Sequence, residues 1–556
     1  MPQSLFRATS SNHDPHTPGR AAGAGIVLIF LLGVAIRLFA CGHTYIISPD
    51  GVYYIHQARA IYYGEWHNLT SCCLSFVSSY PFFIAGAYPL IHEWVAAAQL
   101  VSLLFGSMTL VPLYLLCRRF FTRDVSALTL LVVALLPLFV IGSGEVIRDP
   151  VCWFFLSFGL YFFVASYEKK FRLLLLFSCL SFLMATWARV ESFLFILVSF
   201  IFLLLVPQEQ RIKRLAWFAM PLISALILIF CAVVFLDKPL LHTLRVHDMV
   251  HKLWAPIISY EVLRTDLAEL MKQPLEGVIP HFLHKARNMV WLVALGTVVR
   301  YMIRAYFYLF FIFFVLGLGG MRHRLWEDRR ILYLCVLSLS VVILFYVHVL
   351  QTWMMFDRFW AIFILPAFVV MGFGVHKARI IMIEKWHLNP SIAFFIMCLL
   401  ILVCTLPKDL RGREADKMVY KRIGEHIAER EGGGKEIRIL KSLRTPNWTP
   451  FYANLGYEGV SCPMIDFGME APQFEETVFK DYDAFVHYLR KGDIGYFLWE
   501  ETAWPQGGFN FLDKKHPDHL KEMGSWHHAD AGRLILYQVV KKRSDPSGAI
   551  PPLPAG

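Results

Sequence analysis

The chain has 556 residues, of which 57% are hydrophobic and only 17% are charged, and its mean hydropathy is +0.51. Soluble globular proteins carry roughly 25% charged residues, so this composition excludes an ordinary soluble protein and indicates one that lies in lipid. The formal net charge of +11 does not indicate nucleic-acid binding, because the basic residues form short clusters between apolar runs and no single stripe.

Eleven apolar runs are candidates for membrane-spanning helices, which need about 20 predominantly apolar residues each. They lie at 22–41, 94–117, 125–142, 151–167, 173–187, 192–206, 215–236, 302–320, 331–350, 359–375 and 391–406. The first run has no small-residue cleavage site behind a short apolar core, so we expect it to be retained as a span.

Lys and Arg concentrate in every second loop between these runs, as cytoplasmic loops do. The basic loops contain Arg118, Arg119 and Arg123; Lys169, Lys170 and Arg172; Arg211, Lys213 and Arg214; Arg322, Arg324, Arg329 and Arg330; and Lys377, Arg379 and Lys385. This alternation predicts a cytoplasmic N-terminus. With eleven spans, the C-terminal segment then lies outside.

The composition changes after the last run, where charges alternate with short apolar segments. We expect buried strands at 438–440, 496–499 and 534–537, and helices near 414–430 and 481–490. The sequence thus predicts a polytopic α-helical membrane protein with a small C-terminal α/β domain. Its parts are a cytoplasmic tail at 1–20, a membrane domain at 21–408, an extracytoplasmic domain at 411–545 and a disordered tail at 546–556. The sequence does not show whether Cys72 or Cys73 forms a disulfide.

Charged residues in the short outer loops need an explanation, because charges near span ends are costly and are often functional. Four arginines stand nearly alone there, and acids accompany them. The arginines are Arg59, Arg148, Arg189 and Arg358, and the acids are Asp50, Glu145, Asp149, Glu191 and Asp357.

Asp50 follows the first span in the sequence Ser48-Pro49-Asp50-Gly51. One interpretation is a turn, because Pro, Asp and Gly form turns and Asp can cap a following helix. The other is a catalytic carboxylate at the membrane surface. Ile55, Arg59 and Tyr62 follow at helical spacing and predict an amphipathic interfacial helix.

The other outer acids allow both structural and functional interpretations. Asp149 before Pro150 fits a helix N-cap, whereas Glu145 has no such explanation. If the segment is helical, Glu145 lies one turn from Asp149, and this like-charge pair would favour a cation, a proton or Arg148. Arg189 and Glu191 are two residues apart and do not share a helix face, so we expect other partners for each.

The order of these pieces resembles that of the GT-C glycosyltransferases, specifically the enzymes that use polyprenyl-phosphate sugars. This group includes protein O-mannosyltransferases and bacterial aminoarabinose transferases of lipid A. The resemblance rests on Asp50 with Tyr53, Tyr54 and Ala58, 103–106 and 112–114, 134–137, Gly144-Glu145 to Asp149-Pro150, Arg189-Val190-Glu191, and Asp357-Arg358-Phe359 to Pro366. It departs from the family pattern at Gly51, where many members have a second acid.

The resemblance implies a mechanism in which an acid in the first outer loop is the general base and basic residues hold the donor phosphate. Asp50 would be the base and Arg358 the best phosphate ligand. Arg59, Arg148 and Arg189 are further phosphate candidates. The candidates for contacts to the substrate, the acceptor or a metal are Glu145, Asp149, Glu191, Tyr53 and Tyr54. No cofactor is required, although a divalent metal stays an option.

The expected partners are a polyprenyl-phosphate-linked sugar, a lipid, glycan or protein acceptor, and membrane lipids. An oligosaccharide transferase or ligase with a metal site is one alternative. A transporter of lipid-linked glycans is another, although it would favour ionisable residues near the middle of spans. The bacterial members of the family suggest a bacterial inner membrane, with the active site and C-terminal domain in the periplasm.

Overall fold

The chain folds as a mostly helical membrane protein with a small sheet near its C-terminus. The computed structural model describes residues 20–70, 72, 74–168, 171–207, 209–236, 246–273, 277–441, 446–463, 478–505 and 507–540. Residues 1–19 of the predicted tail 1–20, the predicted tail 546–556, and Cys73 lie outside the described residues.

The helices agree closely with the apolar runs of the sequence. In the membrane part they are Arg20–Gly42, Pro49–Tyr62, Tyr80–Ile91, Trp94–Met108, Leu110–Cys117, Arg123–Ala134, Pro137–Gly144, Asp149–Ala165, Phe171–Ala188, Phe193–Leu205, Arg211–Leu236, Val246–Leu270, Ile279–Ala305, Leu309–Met321, Arg329–Thr352, Ala361–Glu384 and Pro390–Asp409. Short 3-10 turns lie at Trp66–Leu69, Val190–Ser192 and Asp357–Trp360. The C-terminal part adds Met418–Glu431, Trp448–Ala453, Tyr482–Lys491 and Phe511–Lys514.

Within the described residues, six helices are long and apolar enough to cross a membrane, or eight spans if two bent helix pairs each count as one. Four shorter apolar helices accompany them. All eleven predicted runs fall on helices, although the number of spans stays a prediction. Two runs are not the straight spans that we expected. The run 125–142 forms two helices that meet at 52°, and the helices on either side of 306–308 meet at 107°. Phe307 and Tyr308 turn this corner with positive φ angles of 52° and 56°.

Ion pairs bring the predicted cytoplasmic loops together at one end of the bundle. Glu168 binds both Arg119 and Arg330. Arg379 donates to Asp124 over 3.1 Å and so ties a fourth loop to the first. The shared end is consistent with the alternation of basic loops in the sequence.

The C-terminal sheet has four strands in the order β1-β2-β4-β3. They are β1 Ile439–Lys441, β2 Tyr496–Glu500, β3 Leu520–His528 and β4 Gly532–Val539. β1 and β2 are parallel, whereas β4 is antiparallel to both β2 and β3. β1, β2 and β4 match the predicted strands, and β3 was not predicted, because its sequence mixes charged, glycine and histidine residues.

The C-terminal part docks on the helix Pro49–Tyr62 and on the segment before it. Trp448 Nε1 donates to the Ile47 carbonyl oxygen over 2.9 Å, and Asn447 donates to the Tyr53 hydroxyl over 2.9 Å. The buried Arg59 donates to three backbone carbonyls of the C-terminal part, those of Asn454, Tyr457 and Gly459. A guanidinium with five donors suits such a cluster of acceptors.

A disulfide between Cys72 and Cys462 joins the same two regions across a sequence separation of 390 residues. The sequence left open whether Cys72 or Cys73 forms a disulfide, and in the structure Cys72 does. Nearby, one ring nitrogen of His56 lies 3.0 Å from the Ser461 carbonyl oxygen and the other 3.1 Å from that of Asn68. The first loop and the C-terminal part are therefore held together by a covalent bond and several hydrogen bonds.

We expect replacement of both Cys72 and Cys462 by Ser to destabilise the protein by about 2–4 kcal/mol, because the unfolded chain gains freedom when the cross-link is lost. Thermal unfolding of the purified protein, with and without reductant, measures this change. Cys41→Ser is the matched control, since Cys41 is free in the structure. An unchanged unfolding temperature in the double variant would show that the cross-link contributes no stability.

Candidate functional site

Asp50 and Arg358 form an ion pair, although they are 308 residues apart. Asp50 stands in the first turn of the helix Pro49–Tyr62, which Ser48 caps and Pro49 begins. Arg358 stands in a 3-10 turn. The Arg358 Nη2 atom lies 2.6 Å from Asp50 Oδ2, and the side chains are 29% and 43% exposed. The two best sequence candidates therefore meet at a surface that solvent can reach.

A close approach of the backbone brings the 145–148 segment against this pair. Ser48 Oγ donates to the Val146 carbonyl oxygen over 2.9 Å. A Cβ atom on Gly51 would lie only 2.9 Å from both the carbonyl oxygen and Cβ of Val146. A second acid after Asp50, as many family members have, would therefore force the two segments apart.

Arg189 binds the carboxylate of Asp149 in a fully buried ion pair, with both side chains 4% exposed. Its guanidinium also stacks over Phe359, 4.4 Å from the ring centroid, directly beside Arg358. Glu191 contacts Arg189 Nε over 3.5 Å. We expected Arg189 and Glu191 to have other partners and not to contact each other, and this is wrong in part. The backbone at Arg189 is extended, so the spacing of a helix does not apply there.

The segment before Asp149 also differs from the sequence interpretation. Residues 145–148 are not helical, and the next helix begins at Asp149 itself, with Arg148 as its N-cap residue. Asp149 is therefore not the N-cap, and its carboxylate binds Arg189. Because the segment is not helical, Glu145 and Asp149 are not stacked one helical turn apart.

The remaining candidates separate into two groups. Arg148 lies over Phe76 and Tyr54, at 4.9 and 6.0 Å from their ring centroids. Burial raises the pKa of Tyr54, which also experiences the charges of Arg148 and Asp50. Arg148 and Tyr54 thus belong to the surroundings of the Asp50–Arg358 pair. Arg59 and Tyr53 instead contact the C-terminal part, as described above.

A cavity of about 470 Å³ opens beside Arg358. One part of its wall is charged and contains Glu145, Arg304, Asp357, Arg358 and Lys408. The other part is largely apolar and includes Pro137, Leu138, Ile141, Phe307 and Tyr308. Arg304 and Lys408 were missed in the sequence, because Arg304 lies within the predicted apolar run 302–320 and Lys408 follows the last run, so neither belongs to a predicted short outer loop.

Burial raises the pKa of the Glu145 carboxyl to about 7, against the opposing positive charges of Arg358 and Arg413. Glu145 follows the last residue of the helix Pro137–Gly144, in an extended conformation. Among the described residues no ion pair involves its side chain. It is therefore a titratable group in the cavity wall near neutral pH.

No group of three or more His, Cys, Asp or Glu residues that could hold a metal ion occurs in the described part of the chain. Three aspartates at the site are instead paired with arginines. Asp50 contacts Arg358, Asp149 contacts Arg189, and Asp357 contacts Arg304 over 2.8 Å.

A family model, dolichyl-phosphate-mannose-protein mannosyltransferase, matches residues 79–236, which are less than half of the chain. Among curated proteins, none matches the sequence.

Solved structures match over nearly the whole length. ArnT from Cupriavidus metallidurans bound to undecaprenyl phosphate has a TM-score of 0.57 at 14% identity, over 92% of this chain and 97% of that one. ArnT in the apo state has a TM-score of 0.54 at 14% identity, over 93% and 98%. The Archaeoglobus fulgidus oligosaccharyltransferase, tethered to an acceptor peptide with an NVT sequon, has a TM-score of 0.51 at 11% identity, over 94% of this chain and 74% of that one. These comparisons show that this chain has the GT-C fold of membrane glycosyltransferases.

Proposed function

We propose that the chain transfers a sugar from a polyprenyl-phosphate donor to an acceptor outside the cytoplasm, with inversion at the anomeric carbon. Asp50 is the general base and Arg358 the main phosphate ligand. The observation that carries this proposal is the Asp50–Arg358 pair at the edge of a cavity with a cationic part and an apolar part. A lipid phosphate matches these two parts with an anionic head group and an apolar chain.

The cationic part of the cavity suits a phosphate group. Arg358 keeps a buried Nε atom without a hydrogen-bond partner in the described structure, and Arg304 and Lys408 add two positive charges. Arginine binds phosphate through paired N–H donors, whereas lysine acts as a point charge. The structure of ArnT with undecaprenyl phosphate supports a lipid phosphate in this fold.

The exposed side of Asp50 gives an acceptor access from solution. In the transfer step, the acceptor hydroxyl gives its proton to Asp50, and its oxygen forms the new bond to the anomeric carbon. The bond from that carbon to the phosphate oxygen breaks, and the electron pair stays on the phosphate. Arg358 then stabilises the charge that develops there, which lowers the barrier.

The surroundings of the pair provide further candidate contacts. Arg148 and Tyr54 lie beside Asp50 and are candidates for binding the sugar. Arg189, Asp149 and Glu191 support Phe359 next to Arg358, so we assign them a positioning role. Under this proposal Arg59 and Tyr53 hold the C-terminal domain. The acceptor is a lipid, glycan or protein, and the protein lies in a bacterial inner membrane with this site in the periplasm.

We expect Asp50→Asn to reduce sugar transfer by about 10²–10⁴-fold, because the amide cannot accept the proton of the acceptor. Transfer from polyprenyl-phosphate sugars in membranes, with and without a chelator, measures this effect. Donor binding and folding should stay close to wild type. Full activity in Asp50→Asn would contradict the assignment of the base, and activity abolished by the chelator would favour the metal-dependent oligosaccharide enzyme.

We expect Arg358→Ala to weaken donor binding by about 10–100-fold, since hydrogen bonds to charged groups contribute about 1.5–3 kcal/mol. Binding of a polyprenyl-phosphate lipid to purified protein measures the affinity, and Arg358→Lys should restore part of it. Arg379→Ala is the matched control, because Arg379 pairs with Asp124 at the opposite end of the bundle. Equal donor affinity in Arg358→Ala and the control would refute the phosphate role.

A further inference from the structure

Two acids line the cavity wall, Glu145 and Asp357, and the proposed mechanism uses neither. Of the other charged groups there, Asp357 is paired with Arg304, and Arg358 is paired with Asp50. Within the described structure the Glu145 carboxyl forms no ion pair and no side-chain hydrogen bond. It nevertheless lines the same cavity as three cationic side chains.

The backbone fixes Glu145 at this position. The next two residues, Val146 and Ile147, are buried. The Val146 carbonyl accepts a hydrogen bond from Ser48, and the Ile147 carbonyl accepts one from Ser102 over 3.2 Å. These contacts hold the backbone beside Glu145, whose side chain lines the cavity.

An ionised carboxylate at this position would oppose a bound phosphate. It accepts hydrogen bonds only and carries the same sign of charge as the phosphate, whereas a protonated carboxyl offers an O–H donor. The burial that disfavours the charged form of Glu145 thus also prepares it for an anionic ligand.

We propose that Glu145 binds the donor phosphate as a neutral carboxylic acid and donates its hydrogen to a phosphate oxygen. This inference rests on the proposed function, since it requires a phosphate in the cavity. It gives the site a pH dependence with a definite sign. Below neutral pH Glu145 is protonated and supports binding, and above it the carboxylate forms and repels the ligand.

Other charged groups around Glu145 must be separated from it in a test. Arg358 and Arg413 act on it with positive charge, and Glu414 and Asp149 with negative charge. Arg304, Asp357 and Lys408 share the cavity wall. The interval from about pH 6 to about pH 8.5 brackets the Glu145 pKa of about 7.

The test is the affinity of the purified protein for the methyl diester of a polyprenyl phosphate across this pH interval. A phosphodiester keeps one negative charge throughout, so a change of affinity reports on the protein. In wild type we expect the affinity to fall by up to about tenfold per pH unit above neutral, the slope for one proton taken up on binding. In Glu145→Gln, which keeps an uncharged hydrogen-bond donor, the affinity should stay flat.

Glu414→Gln is the matched control, because it removes a neighbouring acid outside the cavity wall and should keep the wild-type slope. A flat profile in wild type, or an unchanged slope in Glu145→Gln, would overturn this inference and leave the proposed function standing. Absence of diester binding at every pH in folded protein would instead overturn the proposed function.

Discussion

The ion pair between Asp50 and Arg358 joins the first loop of the membrane part to its last long buried helix. Because both side chains are partly exposed, such a pair contributes at most about 1 kcal/mol to stability. A phosphate can therefore compete for Arg358 at little cost. The neighbouring Arg189–Asp149 pair is buried, and removal of one partner from such a pair costs about 3–5 kcal/mol. One pair is thus suited to exchange its partner, and the other to hold the site in place.

The geometry around the exchangeable pair depends on backbone contacts as much as on charges. Gly51 lets the 145–148 segment approach the start of the helix Pro49–Tyr62. That approach places Glu145 beside Arg358 in the cavity wall and Arg148 beside Tyr54. A second acid in place of Gly51 would not fit this packing, and here the sequence departs from the pattern of the family that it resembles.

The sequence predicts much of the fold but only part of the site. Apolar runs determine where helices form, because each helix must cover about 20 apolar residues to cross lipid. They do not show where a run bends, as the chain does at residues 306–308. This bend places Phe307 and Tyr308 in the cavity wall. The Asp50–Arg358 contact and the Arg304–Lys408 part of the cavity join residues far apart in sequence, and no local pattern encodes such contacts.

Arg59 and Arg358 show why residue type and loop position cannot assign a role alone. Both are arginines near span ends in predicted outer loops, and both were phosphate candidates. Arg59 is buried and its donors are used by three carbonyls of the C-terminal part. This contact, with the Cys72–Cys462 disulfide, anchors the helix Pro49–Tyr62, which carries Asp50 in its first turn. Under the proposed function the anchor matters for the chemistry. When a phosphate draws Arg358 away, Asp50 stays on a helix that the C-terminal part holds, and its carboxylate remains free to accept a proton.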